Sequence, residues 1–321
     1  MKKDILFLIL VLLGACLLAT SSYAVKPRST TYWEYLLEKP AWGMIEWNSA
    51  TLPKGYWYPT FGFIYVFNGT HFDGAGREVD YVRGRDSTSY MLTGGLLYGV
   101  SDKLTVGLHI PVVLDQKVDT GGIYLEGKKG KSGVSNVGDI QFFFKYRMAD
   151  RYFWSLAPEL GITLPTGQPY NEVSANQSGT GDGQTDLDFA LKGDILLNEE
   201  AFVKLGTRLT LQLRREYRND VGELIEEKLG NVFQTDAGFV RNFKNFGLSG
   251  TLRYTFWGAN KWNDEVMLED ADLFDFSLRF SVGEPKPTKH AKLDFGLDFP
   301  LTGKNAAATY RVGVSIKSIF K

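Results

Sequence analysis

The feature that most constrains this chain is a period-two alternation of apolar and polar side chains, which recurs about twelve times after residue 56. In the first run, Phe61, Phe63 and Tyr65 share one face while smaller residues fill the other. Alternation of this period predicts β-strands with one apolar face. The runs are at about 57–68, 89–98, 104–112, 139–147, 154–162, 186–195, 203–212, 233–242, 248–256, 278–282, 293–299 and 310–320.

The connections between these runs alternate in length. Residues 99–102, 148–152, 198–200 and 243–245 form short connections, and 69–86, 114–136, 165–184, 214–230 and 257–271 form long ones. Only the last two, 283–291 and 302–305, break this rule. Outer-membrane barrels have short periplasmic turns and longer external loops. The pattern therefore predicts an all-β fold, a transmembrane antiparallel up-and-down β-barrel of about 12 strands over residues 57–321, with both ends in the periplasm.

A soluble sandwich or lectin is the competing fold, because it also buries one face of each strand. It does not require connections that alternate in length. Helical spans are excluded beyond residue 24, since no run there approaches eighteen apolar residues. A barrel of about twelve strands is expected to have a narrow or partly plugged lumen.

The first 24 residues predict a cleaved secretory signal: Lys2 and Lys3, an apolar run, then a small-x-small site ending near Ala24. The predicted location is the outer membrane of a Gram-negative bacterium. The alternative at this end is lipidation of Cys16, because Leu13-Gly14-Ala15-Cys16 resembles a lipobox. Residues 25–56 predict an N-terminal segment with two interpretations, a plug inside the lumen or a periplasmic tail.

Composition excludes several functions. Without residues 1–24, which contain two lysines and one aspartate, 34 basic and 36 acidic residues remain, a balance that does not favour nucleic acid. The histidines, His71, His109 and His290, are scattered, so no metal site is predicted. His109 has no serine two positions away, where Pro111 stands, and this argues against a catalytic triad. We expect no enzymatic activity and no cofactor.

The inward faces of the strands carry charges that alternate in sign from strand to strand. Two interpretations remain open: a salt-bridged filling that stiffens the barrel, or a polar constriction that selects the solute. The candidate lumen-lining residues are His109, Glu159, Arg208, Asp236, Arg253, Asp275 and Arg279. The expected partners are outer-membrane lipids and lipopolysaccharide, with Lys128, Lys129 and Lys131 at a loop tip, the barrel-assembly machinery, which would read Ile319-Phe320, and a small-molecule solute.

Short motifs add a family resemblance. Gly138-Asp139-Ile140-Gln141, Leu164-Pro165-Thr166-Gly167 and Gly99-Val100-Ser101-Asp102 resemble the outer-membrane protein family named for the meta pathway of phenol degradation. That family is similar to channels for fatty acids and aromatic hydrocarbons. The resemblance implies a porin-like channel for passive uptake of small hydrophobic or aromatic molecules. The alternative is a structural or enzymatic, lipid-modifying barrel.

Overall fold

The computed structural model describes residues 49–80, 87–118, 136–151, 153–168, 181–198, 200–218, 222–243, 245–282 and 291–320. The predicted signal peptide and Cys16 lie outside these residues, as do Lys128, Lys129, Lys131 and His290. Of the predicted N-terminal segment, only residues 49–56 are described.

The described chain forms nineteen strands. In chain order they are β1 (Trp57–Phe72), β2 (Glu78–Asp80), β3 (Ser87–Ser101), β4 (Leu104–Val118), β5 (Asn136–Val137), β6 (Ile140–Tyr146), β7 (Ala149–Arg151), β8 (Trp154–Leu164), β9 (Asp186–Leu196), β10 (Ala201–Gln212), β11 (Arg215–Arg218), β12 (Leu224–Lys228), β13 (Val232–Asn242), β14 (Phe246–Trp257), β15 (Asn260–Trp262), β16 (Glu265–Leu268), β17 (Ala271–Val282), β18 (Lys292–Lys304) and β19 (Ala306–Lys317).

Within the described residues, twelve of these strands form a closed antiparallel barrel, as the sequence predicts. The order around the wall is β1-β3-β4-β6-β8-β9-β10-β13-β14-β17-β18-β19. The barrel closes where β19 pairs with β1, with Phe63 opposite Val314. Closure leaves no sheet edge, which in lipid would expose unpaired backbone groups. The soluble sandwich is therefore excluded.

The outer face of the barrel is apolar. Phe61, Phe144, Leu160 and Val312 are each more than half exposed, and they belong to strands that are spread around the wall. Aromatic pairs lie toward both ends of the barrel. Trp57 contacts Tyr98 toward one end, and Tyr65 contacts Tyr90 toward the other. A soluble monomer rarely exposes so large a continuous apolar surface, whereas a membrane barrel presents it to lipid. This outer face is that of a transmembrane barrel.

The two ends of the barrel differ. We call the end with the connections 102–103, 147–153, 197–200 and 243–245 the turn end, and the opposite end the loop end. The described residues contain no helix long and apolar enough to cross a membrane.

The loop end contains structure that the alternation did not predict. The connections predicted at 214–230 and 257–271 were expected to be loops, but β11, β12, β15 and β16 form a separate four-stranded sheet there. Arg215 of β11 donates to Glu227 of β12, which also accepts from the indole of Trp262. Pairing between two distant connections extends the fold beyond the barrel wall.

Candidate functional site: the barrel lumen

One side of the lumen is lined by charged side chains. We call the strands β6, β8, β9, β10, β13, β14, β17 and β18 the charged wall. Its centre is Glu159, which accepts from the ammonium of Lys192 at 2.6 Å and from the guanidinium of Arg208 at 3.2 Å. The buried Lys145 is the cross-strand neighbour of Glu159. One carboxylate thus faces cations from three other strands.

A second group of charges continues around the charged wall. Asp236, Arg253 and Asp275 are cross-strand neighbours on β13, β14 and β17. The guanidinium of Arg253 lies 3.9 Å from the carboxylate of Asp275. Arg279 donates from one nitrogen to both carboxylate oxygens of Asp298, at 2.8 and 3.1 Å. The predicted alternation of sign between neighbouring strands therefore produces ion pairs whose nitrogen-to-oxygen distances differ.

The close packing of Arg279 depends on a glycine. Gly296 lies opposite Arg279 in the β17–β18 register. A Cβ at Gly296 would overlap the guanidinium of Arg279. With no side chain at this position, Gly296 leaves room for the guanidinium of Arg279 next to β18.

The opposite side of the lumen carries almost no charge. We call β1, β3 and the first eleven residues of β4, up to Leu114, the uncharged wall, because they contain no Asp, Glu, Lys or Arg. Inward positions on this wall include Ile64, Met91 and Thr93, and His109 lines the same cavity. A solute on this side would meet methyl groups, a thioether and hydroxyls.

Between the two walls lie two cavities of about 300 Å³ each. The first reaches from Ile64 and Met91 to Arg253 and Arg279, and the second from His109 to Glu159 and Arg208. His109 and Arg253 line both cavities. The lumen is therefore incompletely filled, and its two spaces meet at these two residues.

Residues 49–56 lie inside the turn end and touch both walls. The backbone N–H of Ser49 donates to Asp194 on the charged wall at 2.8 Å, and its hydroxyl contacts Asp194 and Ser155. The backbone N–H of Leu52 donates to the hydroxyl of Thr105 on the uncharged wall at 2.7 Å. Ala50 and Leu52 are fully buried in an apolar cluster that they form with Tyr58, Leu97, Leu196, Phe202, Val240 and Ile319.

Two of the three motifs that carry the family resemblance, Gly138-Asp139-Ile140-Gln141 and Leu164-Pro165-Thr166-Gly167, meet at the loop end. The hydroxyl of Thr166 donates to the carbonyl of Gly138 at 2.9 Å and accepts from the N–H of Ile140 at 2.9 Å. The carboxylate of Asp139 accepts from the N–H of Gly167 at 2.8 Å and from that of Asp182 at 3.0 Å. Burial, with the nearby Asp139 carboxylate, raises the pKa of Asp182 above its usual value. The motifs thus fasten the loop that leads into β9.

Comparisons with known proteins return solved structures. No family model matches the chain, and no curated protein matches it. A COG4313 outer membrane channel from Pseudomonas putida F1 is similar with a TM-score of 0.70 and 17% identity, over 85% of this chain and 98% of that chain. The chain shares its fold.

Two further structures are more distant. The TodX deltaS2S3 mutant monoaromatic hydrocarbon channel has a TM-score of 0.48 and 10% identity, over 93% of this chain and 98% of that chain. The toluene transporter TbuX of Ralstonia pickettii has a TM-score of 0.42 and 11% identity, over 87% of this chain and 93% of that chain. The resemblance to the meta-pathway family stays a prediction.

The structure places the predicted lumen residues as follows. His109 and Arg253 line both cavities, Arg279 lines the first, and the second is lined by Glu159, Arg208 and Asp236. Asp275 does not line either cavity; it is buried next to Arg253. Among the described residues, no group of three or more His, Cys, Asp or Glu is placed to hold a metal ion.

The uncharged wall was not predicted from the sequence as part of a site. Ile64, Met91 and Thr93 lie in predicted strands but were not predicted to belong to a site. A signal was present, because two successive strands, β1 and β3, lack Asp, Glu, Lys and Arg altogether. Asp182 lies in the predicted long connection 165–184, where its backbone N–H donates to Asp139.

Proposed function

We propose that this protein is an outer-membrane channel that lets a small hydrophobic or aromatic molecule cross the membrane passively, down its concentration gradient. In this proposal the turn end faces the periplasm and the loop end faces the outside. Transport needs neither nucleotide nor cofactor, because the gradient supplies the driving force.

The observation that carries the proposal is the pair of adjoining cavities inside a lipid-facing barrel. A barrel with a purely structural role can fill its lumen with side chains, as eight-stranded barrels do. Here about 300 Å³ is open in each of two spaces that share His109 and Arg253. Spaces of this size suit a molecule of one or two rings, because ligand pockets start at about 300 Å³.

The uncharged wall determines the expected solute. Ile64, Met91 and Thr93 offer apolar and weakly polar contacts along one side of the first cavity. An apolar molecule that leaves water for this surface gains free energy roughly in proportion to the apolar area buried. The charged wall would instead favour water, so we expect the solute to follow the uncharged wall.

Ion flow is expected to be small. The apolar cluster around Ala50 and Leu52 closes much of the turn end, and many ions of the charged wall are paired with ions on neighbouring strands of the same wall. A hydrated ion would lose water in this constriction. The proposal therefore combines uptake of apolar solutes with low conductance.

A catalytic role has less support. The carboxylates that line the cavities are held beside cations, Glu159 by Lys192 and Asp294 by Lys317. A nucleophilic mechanism needs a serine or similar group activated by a base that a third residue orients. His109 is the histidine that lines both cavities, and its cross-strand neighbours are Gly95 and Gln141, neither of which is a nucleophile or a carboxylate.

Uptake into liposomes tests the proposal. Purified, refolded full-length chain is reconstituted, and entry of a labelled neutral aromatic compound is compared with entry into empty liposomes. The native protein should raise the initial rate several-fold. The variant Thr93→Trp, which fills the first cavity, should return the rate close to that of empty liposomes.

The matched control is Leu92→Trp, one position away on the outer face of β3. It adds the same indole toward lipid, so its uptake should equal that of the native chain. Uptake by the native chain no faster than by empty liposomes would overturn the proposal. So would equal rates for Thr93→Trp and Leu92→Trp, because the solute would then not pass through the cavity.

A further inference from the structure

We propose that the lumen selects amphipathic anions, and that Arg253 binds their oxyanion head group while the apolar body lies on the uncharged wall. This inference rests on the proposed channel function and names its substrate class. The ligand is defined by its chemistry: a carboxylate, or an equivalent planar oxyanion, attached to an apolar body of one or two rings.

Arg253 is the residue that points to a ligand. It lines both cavities, so it stands where the two spaces meet. Its side chain is only 13% exposed, and its Nε is buried without a hydrogen-bond partner. Its nearest carboxylate, Asp275, lies 3.9 Å away, and an oxygen of Asp275 is also buried without a hydrogen-bond partner. A buried guanidinium with donors left over is an incomplete anion site.

The other arginines that line the two cavities are already engaged. Arg279 donates twice to Asp298, and Arg208 donates to Glu159 at 3.2 Å. Arg253 makes no such hydrogen bond within the described residues. Its planar fork of N–H donors matches a carboxylate in a bidentate manner, which a lysine does not.

The cavities have an excess of positive charge. Three carboxylates line them, Glu159, Asp236 and Asp294. The cations number twice as many: Lys192, Lys204, Arg208, Arg253, Arg279 and Lys317. Asp298 behind Arg279 and Asp275 behind Arg253 offset part of this charge, which leaves a small excess of cations. An excess of cations favours anions over cationic solutes.

The space in front of Arg253 fits an amphipathic molecule. The first cavity extends from this guanidinium to Ile64, Met91 and Thr93 on the uncharged wall. A head group at Arg253 therefore leaves the rest of the molecule against apolar side chains. A fully apolar solute would leave the donors of Arg253 unsatisfied, which costs free energy.

Three probes of one shape test the inference in the native protein. They are 4-phenylbutyrate, its amide and 4-phenylbutylamine, which are anionic, neutral and cationic at pH 8. Uptake into liposomes that contain the full-length chain is measured over a concentration range, and the rate of empty liposomes is subtracted. The half-saturating concentration of the acid should be about tenfold lower than that of the amide, since hydrogen bonds to charged groups contribute about 1.5–3 kcal/mol.

Variants assign the effect to Arg253. Arg253→Met should raise the half-saturating concentration of the acid about tenfold and leave that of the amide unchanged, while Arg253→Lys should lie between. Asp275→Asn should lower the value for the acid, because it removes the competing carboxylate. The control is Arg241→Met, since Arg241 lies at the turn end, outside both cavities, 3.9 Å from Glu200.

The outcomes separate the two proposals. Equal values for acid and amide in the native chain, or preference for the amine, overturn the anion site and leave the channel intact. An acid preference that survives in Arg253→Met overturns the role of Arg253. Failure of all three probes to cross overturns the channel itself. If Arg253→Met does not fold, the native comparison and Asp275→Asn still decide.

Discussion

The charged wall and the uncharged wall face each other across one lumen, yet they are built in different ways. On the charged wall several side chains are held by particular partners, as Glu159 is by Lys192 and Arg279 is by Asp298. On the uncharged wall Ile64, Met91 and Thr93 project into open space. The difference teaches that ion pairs stabilise one side while the other side offers the solute its apolar contacts, so that substitutions at the ion pairs and on the uncharged wall should have separable effects.

The largest effect on stability is expected at the centre of the charged wall. Glu159→Gln removes the anion that holds Lys192 and Arg208 and lies beside Lys145. Stranded buried cations should lower the free energy of unfolding by about 3 kcal/mol. Guanidinium titration of the barrel in detergent micelles, followed by tryptophan fluorescence, measures this change.

The matched substitution on the uncharged wall is Thr93→Val. It should change the free energy of unfolding by about 1 kcal/mol or less, because no ion pair is lost. If both variants lose the same stability, the two walls do not differ in the way described.

The next effect separates two adjacent glycines. Gly296 of β18 and Gly313 of β19 are cross-strand partners. Gly296→Ala would displace Arg279 from Asp298 and should cost about 2 kcal/mol of unfolding free energy. Gly313→Ala meets only ordinary contacts, at 3.4 Å to the carbonyl of Phe63 and 3.7 Å to Ile64, and should be nearly neutral. The same titration compares them, and equal losses would show that Arg279 is not held by its place over Gly296.

A third comparison asks which wall holds residues 49–52. Asp194→Ala removes the acceptor for Ser49, and Thr105→Val removes the acceptor for Leu52. A hydrogen bond to a carboxylate contributes about 1.5–3 kcal/mol, against about 1 kcal/mol for a neutral pair. Planar-bilayer recordings should therefore show a larger rise in ion conductance for Asp194→Ala. A larger rise for Thr105→Val would reverse the assignment.

The smallest effect is expected at the loop end of the charged wall. The pKa of Asp182 is raised from its usual 3.8, so the folded chain holds this proton more tightly than the unfolded chain. The stability contributed by the protonated form is present at low pH and is lost as the pH rises through the folded pKa. Asp182→Asn keeps the acceptor for the N–H of Gln184 and removes the charge.

This variant should therefore raise the thermal midpoint slightly at pH 7 and leave it unchanged at pH 3. Heat-dependent migration on gels, at the two values of pH, measures the midpoint. A lower midpoint at pH 7 than that of the native chain would contradict the sign of the pKa shift.

The sequence predicts the wall of the barrel well, because alternation assigns each side chain to a face. The period-two alternation predicts the twelve strands and the inward direction of Glu159 and Arg208. The alternating lengths of the connections add the closed barrel. Partners are harder to predict. Arg208 reaches Glu159 two strands away, and this contact depends on the stagger between strands, which alternation does not contain.

The parts that the sequence did not predict depend on contacts between distant connections. The sheet formed by β11, β12, β15 and β16 joins the connection before β13 to the one after β14, and its strands have only three to five residues. So short a stretch gives no clear period. The contact of Asp139 with Asp182 likewise joins two connections, 43 positions apart.

Simultaneous measurement of solute uptake and ion conductance by the native chain tests the central claim most directly. The same refolded preparation is placed in liposomes with a labelled aromatic solute and in planar bilayers with potassium chloride. The two-walled lumen predicts uptake well above that of empty liposomes together with small conductance. Large, steady conductance would mean a general aqueous pore, and the absence of uptake would contradict a channel for apolar solutes.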